Sequence, residues 1–107
     1  MTRYTLHIPE QYNDGAPVAP EYFATVEQAV EDIAGGWTLT HGIGGWRGED
    51  SRYREPVRLY HVDTDSAPDP LLDLADDIAA ALGQEAVYLT AQDISTTLVT
   101  SRQEVAA

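Results

Sequence analysis

Two blocks of helical periodicity, each flanked by strand periodicity, constrain this chain more than any other feature. In "PEYFATVEQAVEDIAGG" (20–36), Phe23, Val26, Val30 and Ile33 recur at intervals of 3, 4 and 3 residues. That spacing makes one apolar stripe along a helix. Pro20 suits a first helical turn, where its missing N–H costs nothing, and Gly35 and Gly36 supply a stop. In "DPLLDLADDIAAALG" (69–83), Leu71, Leu74 or Ala75, Ile78 and Leu82 share a face. Asp69 is placed to cap that helix, Pro70 to sit in its first turn and Gly83 to end it.

Between and around the helices the period changes to 2. "YTLHIP" (4–9) alternates Tyr4, Leu6 and Ile8 with Thr5 and His7. "WTLTH" (37–41) puts Trp37, Leu39 and His41 on one side, and "PVRLYHVD" (56–63) sets Val57, Leu59 and His61 against Arg58, Tyr60 and Val62. "EAVYLTA" (85–91) is a further strand, and "DISTTLVT" (93–100) is a possible short fifth. "EQYNDGAPVAP" (10–20) and "DTDSAPDP" (63–70) are turn-rich connections. The expected order is β-α-β-β-α-β, the ferredoxin-like α+β pattern: a four-stranded antiparallel sheet with both helices on one face. The second sheet face also carries apolar and aromatic side chains, and such a face is commonly covered by another subunit.

The 107 residues, 43% of them hydrophobic, fit one ferredoxin-like domain spanning 1–107, with its core at about 3–100. The absence of cysteine excludes disulfides, thiol nucleophiles and thiolate metal sites, and suits a reducing compartment. No stretch approaches the ~20 apolar residues of a membrane span, and "MTRYTL" does not begin a secretory leader. A cytoplasmic protein without membrane contact is expected, with its last residues, "SRQEVAA", frayed.

The formal net charge is −12, and all six basic residues are arginines. Such a chain is repelled by phosphate backbones, so direct nucleic-acid binding is not expected without a local basic patch. The acidic helices could instead engage a basic protein partner by imitating nucleic acid. Against this background, "HGIGGWRGEDSRYRE" (41–55) gathers four glycines, Trp46, Tyr53, Arg47, Arg52 and Arg54, with Arg58 just after. It reads as a long connection between two antiparallel strands, the second beginning at Pro56. Guanidinium groups bind carboxylate or phosphate bidentately, and Trp46 and Tyr53 could stack on a nucleobase or a sulfonium. The alternative is an exposed hairpin whose arginines pair with Glu49, Asp50 and Glu55. The glycines match no dinucleotide fingerprint, and without lysine there is no Walker A loop.

Glu49 and Glu55 are the candidate catalytic acid/base groups. Candidate ligand contacts are Trp46, Arg47, Tyr53, Arg54, Arg58, Gln84 and Glu85. Glu85 follows a helix end, where negative charge calls for a nearby cation, and a salt bridge is the simpler account. Gln84 either contacts ligand or satisfies that helix end. His7, His41 and His61 could meet if their strands agreed in phase, but no short histidine spacing supports zinc. No metal and no cofactor is expected.

The hairpin "GIGGWRGEDSRYREPVRLYHV", followed by a helix and "GQEAVYL", resembles small PII-like proteins of the ferredoxin-like class. It is also similar to short bacterial proteins with a Gly-x-Trp-Arg turn and a closing Gln-Glu-x-Val strand, over roughly residues 20–90. A weaker likeness is to phage S-adenosylmethionine lyases, matching Trp46, Arg47 and Glu49, then Gln84, Glu85 and Val87. Gly48 interrupts that match, and "YRE" (53–55) is a second candidate for the same motif. The resemblance implies a homo-oligomer, trimer or dimer, with an adenine-nucleotide-type or S-adenosylmethionine-type ligand held between subunits. Residues 42–56 would be the loop lining that cleft, and lyase-like turnover is the enzymatic branch. The rival expectation is a non-enzymatic acidic protein that binds a basic partner.

Overall fold

The periodicities become elements in the structure, a computed structural model that describes residues 1–101. The expectation of a frayed C-terminus falls mainly on residues 102–107, outside that range. In chain order the elements are β1 (Thr2–Pro9), α1 (Pro20–Ala34), β2 (Thr38–Arg47), β3 (Arg52–Thr64), α2 (Asp69–Leu82) and β4 (Tyr88–Asp93). The four strands form one antiparallel sheet in the order β2-β3-β1-β4. This is the ferredoxin-like arrangement that the sequence pattern predicts.

Both helices cover the same sheet face. Tyr4, Leu6 and Ile8 of β1 and Tyr60 and Val62 of β3 pack with Phe23, Val26 and Val30 of α1 and Leu71, Ala75, Ile78 and Leu82 of α2. Burying a side chain of this size contributes about 1.5–3 kcal/mol, so this layer decides which strand face turns inward. α1 stops at Gly35 and α2 at Gly83, both left-handed, with φ of 88° and 64°, a conformation that favours glycine. Pro68, not Asp69, is the N-cap of α2, and Asp69 lies inside the first turn, where its charge still faces the positive helix end.

Residues 42–56 are not a loop. The β2–β3 ladder runs unbroken from Thr38–His61 to Arg47–Arg52, and the Gly48 N–H donates to the Ser51 carbonyl at 2.8 Å to close the turn. β1 accompanies β3 only as far as Val57, so 43–47 and 52–56 project beyond the sheet as a two-stranded arm. Gly44 sits where a Cβ would come 3.3 Å from the Val57 side chain, so a bare backbone suits that crossing. Pro56, expected to begin a strand, lies inside β3. Its carbonyl accepts from the Glu10 N–H at 3.0 Å, on the side where β1 has just ended. The nitrogen of an extended residue points to the same side as its carbonyl, so the missing donor costs the β2 ladder nothing.

The fifth strand does not form within the chain. The Ile94 N–H donates to the Met1 carbonyl at 3.0 Å, and there β1 runs out. No helix among the described residues is long and apolar enough to cross a membrane.

Candidate functional site

Strand alternation sorts the arm. Tyr60 faces the helices, and its partner Leu39 packs on the same core. Counting by twos puts Ile43, Gly45 and Arg47 of β2 and Arg52, Arg54 and Pro56 of β3 on the helix side of the sheet. Gly44, Trp46, Tyr53 and Glu55 fall on the other side. Trp46 and Tyr53, directly opposed, stack with centroids 4.2 Å apart and planes 13° from parallel. They remain 53% and 46% exposed, so nothing among the described residues covers the stack. An open groove at the arm is lined by residues from both sides: Ile43, Gly45, Trp46, Arg47, Arg52, Tyr53 and Arg54.

Arg47 and Arg52 are paired across the ladder, with Arg54 two residues along the same face. Like charges directly opposite each other destabilise a sheet. No ion pair involves Arg47, Arg52 or Arg54 among the described residues. The sequence alternative, in which they neutralise Glu49, Asp50 and Glu55, is therefore not what the fold does. Glu49 sits in the exposed turn at the tip, and Glu55 lies across from Gly44 on the side of the stacked rings.

Arg58 has a different environment, at the arm's base and against α1. Its guanidinium lies 3.9 Å over the Phe23 ring, with Nη1 3.7 Å from Glu27 Oε2 and Nε 3.6 Å from Glu10 Oε1. Nη1 also donates to the Tyr60 hydroxyl at 3.2 Å, and that hydroxyl donates to Glu27 Oε2 at 2.6 Å. Burial, reinforced by the Glu27 bond, pushes the Tyr60 phenol up to about 12. His41 Nδ1 meets Glu10 Oε1 at 2.8 Å. The Arg58 Nε is buried with no hydrogen-bond partner. Arg58 thus sits in a cluster of internal partners, unlike the three arm arginines.

Gln84 and Glu85 do not line the arm's groove. Gln84 Nε2 donates to Asn13 Oδ1 at 2.9 Å while Asn13 Nδ2 donates to the Gly83 carbonyl at 3.1 Å. Together they fasten the β1–α1 connection to the end of α2. Glu85 is exposed and takes part in no ion pair among the described residues, so the salt bridge expected for it is absent.

The histidines divide between faces. His41 is on the helix side. His7 and His61 share the open side, diagonally placed on β1 and β3. His61 uses both ring nitrogens, bonding the Thr5 hydroxyl at 3.0 Å and the Thr40 hydroxyl at 2.9 Å. His7 packs against Tyr88, and burial together with the nearby His61 holds its imidazole below the usual range. No group of three histidine, aspartate or glutamate side chains is placed to hold a metal ion among the described residues.

Ile43 and Gly45 were not singled out from sequence, and Arg52 was grouped with the other arginines but not named among the ligand contacts. The signal was present, since Ile43, Gly45 and Arg47 alternate, as do Arg52, Arg54 and Pro56. Glycines, rare in strands, masked it.

No protein-family model matches the chain, and no curated protein does. The resemblance to short Gly-x-Trp-Arg bacterial proteins therefore has no support. Solved structures do match. A phage SAM lyase in complex with S-methyl-5'-thioadenosine superposes with a TM-score of 0.66 at 12% identity, over 86% of this chain and 80% of that one. The divalent cation tolerance protein (Cut A1) from Thermus thermophilus gives a TM-score of 0.61 at 14% identity, over 99% and 93% of the two chains. At such identities the likeness establishes a shared fold.

Proposed function

We propose that this chain is a small-ligand-binding homo-oligomer, with a trimer favoured over a dimer. It takes an adenine-nucleotide-type or S-adenosylmethionine-type ligand between subunits. One observation carries the reading: three guanidinium groups gather on the arm without a carboxylate partner, in a protein of net charge −12. Holding them together costs repulsion that an anionic ligand group would relieve. Trp46 and Tyr53 offer an uncovered aromatic stack for a base or a sulfonium. Arginines and rings belong to opposite sides of one ribbon, yet one open groove is lined by both kinds of group, so a ligand there could reach both. The shared fold with a lyase that was solved with S-methyl-5'-thioadenosine favours the same ligand class.

Turnover is the enzymatic branch. Glu55, on the side of the rings, or Glu49, at the tip, would act as the base near the ligand's amino acid tail. Thermal-shift titrations with ATP and with S-adenosylmethionine test the reading. Ligand at 100 times its dissociation constant adds about 2.7 kcal/mol of stability, a shift that Arg47→Ala and Arg54→Ala remove. No shift with either compound sinks the proposal. Release of S-methyl-5'-thioadenosine from S-adenosylmethionine, lost in Glu49→Gln or Glu55→Gln, tests the enzymatic branch by itself.

A further inference from the structure

We infer that the arm binds a short stretch of single-stranded nucleic acid, with its guanidinium groups on phosphates and Trp46 and Tyr53 on bases. This partner rests on the same arginines and rings as the ligand proposed above, and extends that ligand from one nucleotide to a strand. Charge argues against nucleic acid only where a local basic patch is missing. The arm is such a patch. Arg47 and Arg52 face each other across the ladder, and Arg54 follows on the same side. Residues two apart on a strand are about 6.7 Å apart, a stride that successive phosphates of an extended strand can follow. None of the three arginines is in an ion pair among the described residues. The arm's own carboxylates lie elsewhere, Glu49 and Asp50 in the turn and Glu55 on the side of the rings.

Two features select a nucleic acid strand over other anions. The first is the pair of aromatic rings. Trp46 and Tyr53 are half-exposed and line the same groove as Arg47, Arg52 and Arg54. Bases stack on such rings whatever their identity, and arginine planes add to the stack. An acidic peptide would satisfy the guanidinium groups but leave the rings unused. The second is the shape of the site. Small-molecule sites enclose most of their ligand. This groove lies on two strands that stand clear of the rest of the sheet, so a single chain encloses little there. A strand gains instead from repeated contacts along an open track. The acidic body sets the limit. At the arm's base Arg58 is already engaged with Glu10 and Glu27, and the chain as a whole carries −12. Phosphates beyond the arm meet carboxylates, so the site is short, about four nucleotides, the low end of the range for single-strand sites.

The test is fluorescence anisotropy of labelled tetranucleotides, one of thymidine and one of uridine, titrated with the full chain at low salt. Binding of either supports the inference, and the tighter of the two identifies DNA or RNA as the source. Three guanidinium–phosphate contacts give a slope of about −2 in log affinity against log salt, and Arg54→Ala should reduce it by about 0.7. Trp46→Ala should weaken binding at least about 5-fold and leave that slope unchanged. Because Trp46→Ala also removes half of the arm's own stack, the unaltered chain supplies a second readout. Base proton resonances of the bound tetranucleotide should move upfield, as they do over an aromatic ring. A duplex hides its base faces and should bind at least about 5-fold more weakly. No binding of either tetranucleotide would overturn the inference. So would a duplex or a poly-glutamate peptide that binds as tightly, or base resonances that do not move. The mononucleotide reading is judged separately, by the ATP and S-adenosylmethionine thermal shifts. A shift with either compound, without tetranucleotide binding, overturns the strand and leaves that reading standing. Tetranucleotide binding without either shift does the reverse.

Discussion

Tyr60 shows how one buried side chain joins the core to a charged cluster. Its ring meets Trp37 edge-on in the core, while its hydroxyl bridges Arg58 and Glu27. Tyr60→Phe keeps the ring but leaves Glu27 without its donor and Arg58 Nη1 without an acceptor. The cost should be about 1–3 kcal/mol by urea denaturation at neutral pH. The hydroxyl also sets an alkaline limit. The unfolded chain releases the phenol proton above 10, whereas the folded chain holds it to about 12. Unfolding therefore releases a proton in that window, and stability falls as pH rises through it. The fall should be shallower in Tyr60→Phe, though not absent, because burial raises Tyr22 in the same direction. On the acid side the relevant group is His7. Its folded imidazole is held below the unfolded value of 6.5, so the unfolded chain binds the proton first and stability declines as pH drops through that value. His7→Asn should flatten that limb. An equally steep decline would show that His7 does not set it.

At the scale of elements, the arm is the least supported part of the sheet, since a two-stranded ribbon alone is marginal in water. Its tip depends on the Trp46–Tyr53 stack. A Cβ on Gly48 would lie 2.8 Å from Tyr53 Cε2, so Gly48→Ala must push that ring aside. A stacked pair is worth about 0.5–1.5 kcal/mol, so amide exchange over residues 43–55 should quicken about 2- to 10-fold. Global stability should change by less than about 0.5 kcal/mol, because the arm lies outside the core. The same element shows what sequence could and could not convey. The helices were legible because their stripes persist over several turns and end in glycine. β2 and β3 read short because Gly42, Gly44 and Gly45 have no side chain with which to announce alternation. Residues 94–100 have strand composition, yet a strand needs a neighbour, and the β1–β4 ladder has its last rung at Thr2–Asp93. The Asn13–Gln84 tie joins positions 71 apart, a distance no local pattern spans.

Across the whole molecule, charge is divided unevenly. Arg3 is held by Asp63 and Arg58 by Glu10 and Glu27, so the arm carries the positive charge left without carboxylate partners among the described residues. The rest of the described surface is dominated by carboxylates that repel one another. Added salt should act on the two regions with opposite sign. Raising ionic strength from about 0.02 M to 0.5 M shortens the Debye length from about 20 Å to 4 Å. Screening should raise the urea midpoint of the unliganded protein, because carboxylate repulsion opposes the compact state. The same change should weaken an anionic ligand on the arm and shrink its thermal shift. Arg52→Glu separates the two effects at fixed salt. It replaces the like-charge pair with Arg47 by an opposite one, so the arm should hold at least as well, while the ligand shift should vanish. A ligand shift that survives both high salt and Arg52→Glu would mean that the arginine face is not what holds the ligand.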